Sequence, residues 1–279
     1  LDQLESGSVA YNIPAAVRVN GRLEVEALRR TLNEVVRRHE VLRTTFVAVN
    51  GEAVQVIAPA SQVEMPELDL SKLPEDQREA QARQLAAAEA QRPFDLSVGP
   101  LLRVQLLHLG AAEHVLLFTM HHIITDGWST GILVREVGTL YEAYTAGREA
   151  PLPELDIQYA DFAVWQREWL QGEVLDQQLG YWRQQLGGEL PVLQLPTDKP
   201  RPPLPSYRGR SFNFTLPAEL TAELKELSNA EGVTFYMTLL AAFKILLWRY
   251  SGESDVVVGT PIAGRNHLVT EGLIGLFVN

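Results

Sequence analysis

Short apolar runs alternate along the chain with longer segments of helical periodicity. We predict strands where the runs are short and rich in β-formers, and helices where apolar residues recur every three or four positions. The predicted strands are 13–19, a hairpin in 46–57 turning at Asn50-Gly51, 101–109, 114–120, 211–216 and 255–260. The predicted helices are 24–39, 74–91, 131–144, 159–169, a segment through Tyr181 and Trp182 that ends at Gly187, 218–230 and 234–250. Such a mixture, with hairpins present, is typical of an α+β fold.

The most informative stretch lies where the apolar strand 114–120 turns into helix 131–144. It reads Met120-His-His-Ile-Ile-Thr-Asp-Gly-Trp-Ser-Thr130, and Ser129 or Thr130 is placed to cap the helix. Free N–H groups at a helix N-terminus favour acyl chemistry because they can stabilise an oxyanion. The adjacent histidines point to opposite faces of the strand end, so one can reach a substrate while the other packs. Metal ligands usually share a face, so we do not predict a metal site.

Composition narrows the classes of protein. The 279 residues can hold one large domain or two lobes, each with a sizeable core. No apolar run approaches the roughly 20 residues of a membrane span, and no signal peptide heads the sequence, so we expect a cytoplasmic protein without a membrane partner. The net charge of −11 argues against a nucleic-acid partner. The absence of cysteine excludes disulfides and an acyl-cysteine intermediate.

The string around the two histidines resembles the HHxxxDG core motif of the condensation domains of nonribosomal peptide synthetases. Three other strings are similar to motifs of that family and occur in its order. Arg38-His-Glu-Val-Leu-Arg-Thr-Thr-Phe46 resembles RHExLRTxF, Tyr159-Ala-Asp-Phe-Ala-Val-Trp165 resembles YxDFAVW, and Ile274-Gly-Leu-Phe-Val-Asn279 resembles the opening of IGxFVNT. The family's first motif is missing. We therefore expect a fragment that lacks the first motif and most of the C-terminal lobe.

The resemblance implies two chloramphenicol-acetyltransferase-like lobes in a V, with a tunnel between them and the second lobe incomplete. The expected bounds are 1–190 for the N-terminal lobe, 191–206 for a proline-rich crossing and 207–279 for the first part of the C-terminal lobe. The implied enzyme is an acyltransferase that forms a peptide bond between a donor aminoacyl or peptidyl thioester and an acceptor aminoacyl thioester, joining two L-residues.

Both substrates would arrive on the phosphopantetheine of upstream and downstream peptidyl carrier domains, beside an adenylation domain. The resemblance implies no cofactor bound by the domain itself.

The resemblance also assigns roles within the core motif. It places catalysis at His121, His122, Asp126 and Gly127, with His122 facing the acceptor amine as a base or as a positioner. We expect Asp126 to act through the fold, because a carboxylate so near the site would be held ionised by an arginine. Arg43 and Arg265 are the candidates, and the sequence does not choose between them.

Three further residues, together with Gly127, complete the expected site. Gly127 would leave room for a pantetheine arm or an acceptor group. Trp128 and Ser129 would contact substrate, and the hydroxyl of Ser129 could hydrogen-bond the tetrahedral oxyanion. Arg38 is expected to be a structural cation, although a basic helix end is by itself typical of a solvated surface.

Other interpretations stay open at this point. An epimerisation domain shares the HHxxxDG core but lacks the 159–165 pattern. A stand-alone HxxxD acyltransferase lacks the strings at 38–46 and 274–279. An inactive member of the superfamily could bind carrier domains without catalysis. A cyclisation domain is excluded because it has aspartates in place of the histidines.

Overall fold

The computed structural model describes residues 7–200, 202–203, 209–210 and 212–279. The chain forms two compact units, one of Leu1–Gln171 with Pro261–Asn279 and one of Gly172–Thr260. These limits differ from the bounds at 190 and 206 that we expected: the first unit ends at Gln171 and takes in Pro261–Asn279. The assignment of lobes stays a prediction.

The first unit contains a four-stranded sheet and a separate hairpin. The sheet order is β1-β6-β5-β4, antiparallel except for the β4–β5 pair. Its strands are β1 (Asn12–Asn20), β4 (Glu67–Asp69), β5 (Leu102–Gly110) and β6 (Glu113–His121), and the hairpin consists of β2 (Thr44–Val49) and β3 (Glu52–Ile57). The sequence pattern predicts no strand at the position of β4.

The helices of the first unit are α1 (Val25–Arg38), α2 (Glu75–Ala90), α3 (Gly127–Thr145) and α4 (Tyr159–Trp169). Short 3₁₀ turns cover Glu40–Arg43, His122–Ile124 and Leu268–Thr270. The hairpin turns at Asn50 and Gly51, both with positive φ, as a two-residue turn requires.

Both faces of the central strands are buried. Leu106 of β5 belongs to the core beneath α1 and α3, whereas its neighbour Leu107 belongs to the core beneath α2. Residues Phe118 and Leu117 of β6 divide in the same way. This double burial explains why the run before the histidines is continuously apolar rather than alternating.

The second unit is helical in its described part, with α5 (Gly172–Leu186), α6 (Ala218–Ala230) and α7 (Phe235–Ser251). Thr234 caps α7, and Gly252 ends it in the left-handed conformation. The structure has no strand at residues 212–216 or 255–260, so the predictions for these residues are wrong. Residue 211, which we included in the first predicted strand, lies outside the described ranges. Neither segment has a ladder partner there, and a strand exists only through such pairing.

Within the described ranges, no single helix is long and apolar enough to span a membrane. Only α6 and α7 taken as a pair, bent by 105°, satisfy length and composition.

Candidate active site

The core motif begins where β6 ends. The His121 N–H donates to the carbonyl of Leu101, at 3.0 Å, and the His122 N–H donates to the carbonyl of Tyr11, at 2.8 Å. These bonds run to opposite sides of the strand, so the backbone of both histidines is fixed. The chain then makes a 3₁₀ turn and enters α3, which brings the histidines close to the helix N-terminus.

The side chain of His121 is packed. It is buried between the rings of Tyr11 and Phe94, each with a centroid 6.0 Å from that of the imidazole. Its Nδ1 accepts a hydrogen bond of 3.1 Å from the N–H of Ile123. This nitrogen therefore carries no proton, and the ring has the geometry of a structural histidine.

The side chain of His122 is partly exposed and differs from its neighbour. Its Nδ1 is buried and has no hydrogen-bond partner among the described residues, and neither has the nearby hydroxyl of Thr125. Buried polar atoms of native proteins are nearly always paired. Because Nδ1 itself is buried, a bound reactant can reach only the exposed part of this imidazole.

The carboxylate of Asp126 is held by donors on three sides. It caps α3 by accepting from the Ser129 N–H, at 2.8 Å, and from the Ser129 hydroxyl, at 2.7 Å. It also accepts from the Phe277 N–H, at 3.0 Å, and from Nη2 of Arg265, at 3.2 Å. The expected cap at Ser129 or Thr130 is thus wrong, and α3 begins at Gly127 because Asp126 caps it.

Arg265 is the arginine that pairs with Asp126. Its side chain is 1% exposed, and its Nη1 donates to the carbonyls of Thr270 and Leu273. Burial alone would raise the pKa of Asp126, but the bonds from Ser129 and Phe277 and the charge of Arg265 hold that pKa below its usual value. Burial lowers the pKa of Arg265, and the Asp126 charge opposes that effect.

The other candidate cation, Arg43, lies elsewhere. It donates to the carbonyl of Ala58 and, at 3.2 Å, to the Glu40 carboxylate, which ties the 3₁₀ turn after α1 to the end of the hairpin. The side chain of Arg43 is 16% exposed and does not contribute to the pair beneath the motif.

The remaining motif residues differ in accessibility. Ser129 is fully buried, and its hydroxyl also contacts the backbone N–H and carbonyl of Gly275 and Nη2 of Arg265. This geometry disfavours the contact with an oxyanion that we expected. Trp128 is 49% exposed and donates from its indole to the carbonyl of Glu271, at 3.1 Å. A Cβ added at Gly127 would meet nothing within 4 Å, so there is space beside this residue.

Arg38 is buried rather than solvated at the end of α1. Two of its nitrogens donate to the Glu136 carboxylate, each at 3.2 Å, and Nη1 donates to the carbonyl of Pro153, at 2.7 Å. His39 also contacts Glu136, through Nε2 at 3.0 Å. Burial would raise the pKa of Glu136, but the bonds from His39 and Arg38 lower it.

Sequence reasoning missed Glu136, although a signal was present. It lies four positions after Ile132 and four before Leu140, and so on the apolar face of α3. A single carboxylate at such a position requires a buried cation, because an unpaired buried charge is costly.

Two glycines, Gly264 and Gly275, lie where the C-terminal residues approach other atoms so closely that a side chain would not fit. A Cβ at Gly264 would lie 2.1 Å from the backbone oxygen of Phe277, and a Cβ at Gly275 would lie 2.3 Å from the ring of Tyr159. Residues 274–279 therefore pack closely against the rest of the first unit. Across the described ranges, no cluster of three or more His, Asp or Glu residues could hold a metal ion.

The family model of the condensation domain matches residues 1–279, and the chain belongs to that family. One of the proteins that make up the linear gramicidin synthase of Brevibacillus parabrevis is 54% identical over 279 residues, which are 100% of this chain and 4% of that protein. The phosphinothricin tripeptide synthetase PhsC of Streptomyces viridochromogenes is 47% identical, over 100% of this chain and 26% of that protein. The chain thus spans only a small part of these relatives.

Solved structures agree in fold. The X-domain from teicoplanin biosynthesis has a TM-score of 0.85 and 32% identity, over 99% of this chain and 62% of that one. The first condensation domain of the CDA synthetase has a TM-score of 0.79 over 100% of this chain and 66% of that one. At 21% identity, this second likeness concerns the fold alone. The predicted α+β class and the predicted family are confirmed.

Proposed function

We propose that the chain is the catalytic part of a peptide-bond-forming condensation domain, with His122 at the reacting atoms. The observation that carries the proposal is the partly exposed ring of His122, which stands on a fixed strand end and whose buried Nδ1 has no partner among the described residues. Membership of the family supplies the reaction class, a transfer of an acyl group to an amine.

In the proposed reaction the acceptor amine attacks the carbonyl carbon of the donor thioester. The new C–N bond forms, the C–S bond breaks, and the thiolate leaves on the donor's pantetheine. The proton lost by the amine passes to His122 and from there to the leaving sulfur, so that the free thiol results. The two carrier-bound substrates supply every atom of the products, so the reaction needs no further reactant.

The gain expected from His122 is bounded by the chemistry of the amine. A free α-amine has a pKa of about 7.7–8.0, so part of it is already neutral near pH 7. A general base adds about 10² to 10⁴ to such a rate. Correct placement of the two substrates adds an independent factor, and the open space beside Gly127 gives a pantetheine arm room to approach.

The partners in this proposal follow from the family. We infer that donor and acceptor arrive on phosphopantetheine of two peptidyl carrier domains, in a cytoplasmic assembly that includes an adenylation domain. The named relatives are peptide synthetases or parts of them, which supports this context. The joining of two L-residues and the lobe bounds at 190 and 206 belong to the same proposal.

The test is a single-turnover condensation assay on the full-length gene product that contains these residues. One carrier domain is loaded with a donor amino acid and the other with an acceptor, and the carrier-bound dipeptide is quantified by mass spectrometry. We expect dipeptide from the unaltered protein and a loss of about 10² to 10⁴ in rate for His122→Ala.

The matched control is His108→Ala, which alters a histidine on β5 that contacts Glu67 and His114 rather than the motif. It should keep the full rate. Binding of both loaded carriers without any dipeptide from the unaltered protein would contradict the proposal and leave a docking role.

A further inference from the structure

We propose that His39 is a positioning residue, which holds residues 273–277 at a set distance from α3 through a single neutral tautomer. This inference rests on the proposed function, because it assigns His39 a part in preparing the same site. Its side chain is 1% exposed and touches no open space, so it acts only through its neighbours.

The tautomer follows from the two partners. The Ile274 N–H donates to Nδ1 of His39, at 3.3 Å, so this nitrogen carries a lone pair and no proton. The opposite nitrogen, Nε2, lies 3.0 Å from the Glu136 carboxylate, which only accepts. The ring is therefore neutral, protonated on Nε2, and bridges a carboxylate on α3 to a backbone N–H of the C-terminal segment.

The position of Ile274 gives this bridge its consequence. The next residue, Gly275, donates its N–H to the Ser129 oxygen, at 3.1 Å, and its carbonyl lies 3.0 Å from the same oxygen. Two residues later, the Phe277 N–H donates to Asp126. Those bonds fasten the segment to the N-terminus of α3, and His39 fastens it a second time, through Glu136 further along the same helix.

Other bonds also hold this segment, since the Tyr159 hydroxyl donates to the Leu276 carbonyl, at 2.9 Å, and Ile262 and Asn279 exchange two backbone hydrogen bonds. The bond to His39 adds the attachment at Ile274, and this attachment sets the angle at which residues 273–277 lie against the motif. The same segment supplies the Leu273 carbonyl that accepts from Arg265, at 2.7 Å. A change in that angle would shift the Asp126–Arg265 pair beneath His122.

Charge balance does not require His39. Arg38 already donates to Glu136 from two nitrogens, so the buried carboxylate keeps a bidentate cation without the histidine. What His39 alone supplies is an acceptor for the Ile274 N–H. This distinguishes a positioning role from simple neutralisation of a buried charge.

Two substitutions separate the two bonds of the ring. In His39→Asn the amide oxygen falls near the place of Nδ1 and accepts from Ile274, while the bond to Glu136 is lost. In His39→Gln the amide nitrogen reaches toward the place of Nε2 and donates to Glu136, while nothing replaces Nδ1. Both changes remove the ring, so each serves as the control for the other.

The first measurement is amide hydrogen exchange, with Leu106 in the centre of the sheet as the reference for intact folding. Exchange at Ile274 should be about tenfold or more faster in His39→Gln, the factor that corresponds to one lost hydrogen bond of ordinary strength. It should be nearly unchanged in His39→Asn. Equal exchange at Ile274 in the two variants would overturn the inference.

The second measurement is the condensation assay itself. His39→Gln should lower kcat by about tenfold with little change in KM for the loaded carriers, since no substrate contact is removed. His39→Asn should restore most of kcat. A purely structural histidine would instead give equal losses in both variants, in proportion to their loss of stability.

The third measurement needs no substitution. The ¹⁵N chemical shifts of the His39 ring in the unaltered protein report which nitrogen carries the proton, and we expect only Nε2 to be protonated near pH 7. A proton on Nδ1 would overturn the inference even if both variants failed to fold. If exchange and tautomer agree with expectation but the unaltered protein forms no dipeptide, the proposed function fails alone.

Discussion

The core motif has two halves that differ in how their polar groups are satisfied. In the half from Asp126 to Ser129, the carboxylate accepts from two backbone N–H groups, a hydroxyl and an arginine. In the half from His121 to Thr125, the Nδ1 of His122 and the Thr125 hydroxyl are buried without a partner among the described residues. The halves are neighbours in sequence. We call the half from Asp126 to Ser129 saturated, because the Asp126 carboxylate has its hydrogen-bond partners, and the half from His121 to Thr125 unsaturated.

This difference separates the groups that hold the backbone in place from the group that we propose to react. A group that must exchange a proton with a substrate cannot be fully committed to protein partners, whereas a group that holds the backbone in place should be. The saturated half therefore keeps the strand end and the helix start in fixed positions. The unsaturated half presents the histidine that the proposed reaction uses.

The largest effect is expected from breaking the saturated half. Asp126→Asn leaves the Arg265 guanidinium buried without its counter-charge, which costs about 3–5 kcal/mol for a buried pair. The free energy of unfolding from urea titration should fall by that amount, and condensation should fall with it.

The control for this prediction is Asp69→Asn, which removes an exposed carboxylate whose side-chain partners are the neighbouring Ser71 and, at 3.8 Å, Lys72. It should change the free energy of unfolding by less than about 0.5 kcal/mol. If Asp126→Asn lost activity at unchanged stability, Asp126 would be catalytic and the division into two halves would be incorrect.

The comparison also shows which features of the fold and of the site can be predicted from the sequence. Local patterns sufficed for the strand before His121, for α3 and for the hairpin turn at Asn50, because each depends on burial or on φ within a few residues. The arginine that pairs with Asp126 could not be chosen, because Arg43 and Arg265 are equivalent in charge and the choice depends on packing between distant segments.

The errors have the same origin. The two strands predicted in the second unit have apolar residues in the right pattern, but a strand requires a partner that no local pattern supplies. The helix cap was assigned to Ser129 or Thr130 because both are good capping residues. Asp126 took the position because its carboxylate also meets Arg265 and Phe277 across the fold.

The next effect tests the two histidines against each other. His122→Ala should lower the rate of dipeptide formation by about 10² to 10⁴. Its free energy of unfolding should stay within about 0.5 kcal/mol of the unaltered protein, because its Nδ1 makes no bond to a described residue.

His121→Ala should instead lower the stability more than the rate of dipeptide formation. It removes the acceptor of the Ile123 N–H and the packing between Tyr11 and Phe94, so stability should fall by about 1–3 kcal/mol. The remaining folded fraction should retain most of its turnover. A greater loss of turnover per folded molecule in His121→Ala than in His122→Ala would reverse the assignment.

A smaller effect is expected at the boundary between the halves. A methyl group at Gly127 meets no protein atom within 4 Å, so Gly127→Ala should keep or slightly raise stability, by up to about 1 kcal/mol from helix propensity. If a pantetheine arm or acceptor passes there, turnover should fall by up to about 10²-fold, as for a substrate displaced by an ångström.

Gly131→Ala is the matched change for this test, since a Cβ at that position of α3 also meets nothing within 4 Å. It should leave turnover unaltered. Equal turnover in the two variants would mean that the space beside Gly127 is not used by the substrate.

The smallest effect concerns the loss of stability at low pH. The pKa of Asp126 and that of Glu136 are both lowered in the folded protein. Their contribution to stability is therefore complete above the unfolded values of about 3.9 and 4.3, and it is lost as the pH falls through the lower folded values. Urea midpoints measured from about pH 5 downward should fall for the unaltered protein and fall less steeply for Asp126→Asn.

Glu136→Gln should also flatten this curve, but only by the share that His39 and Arg38 contribute through their bonds to the Glu136 carboxylate. An unaltered slope in Asp126→Asn would mean that its carboxylate is not held by the bonds that distinguish the saturated half.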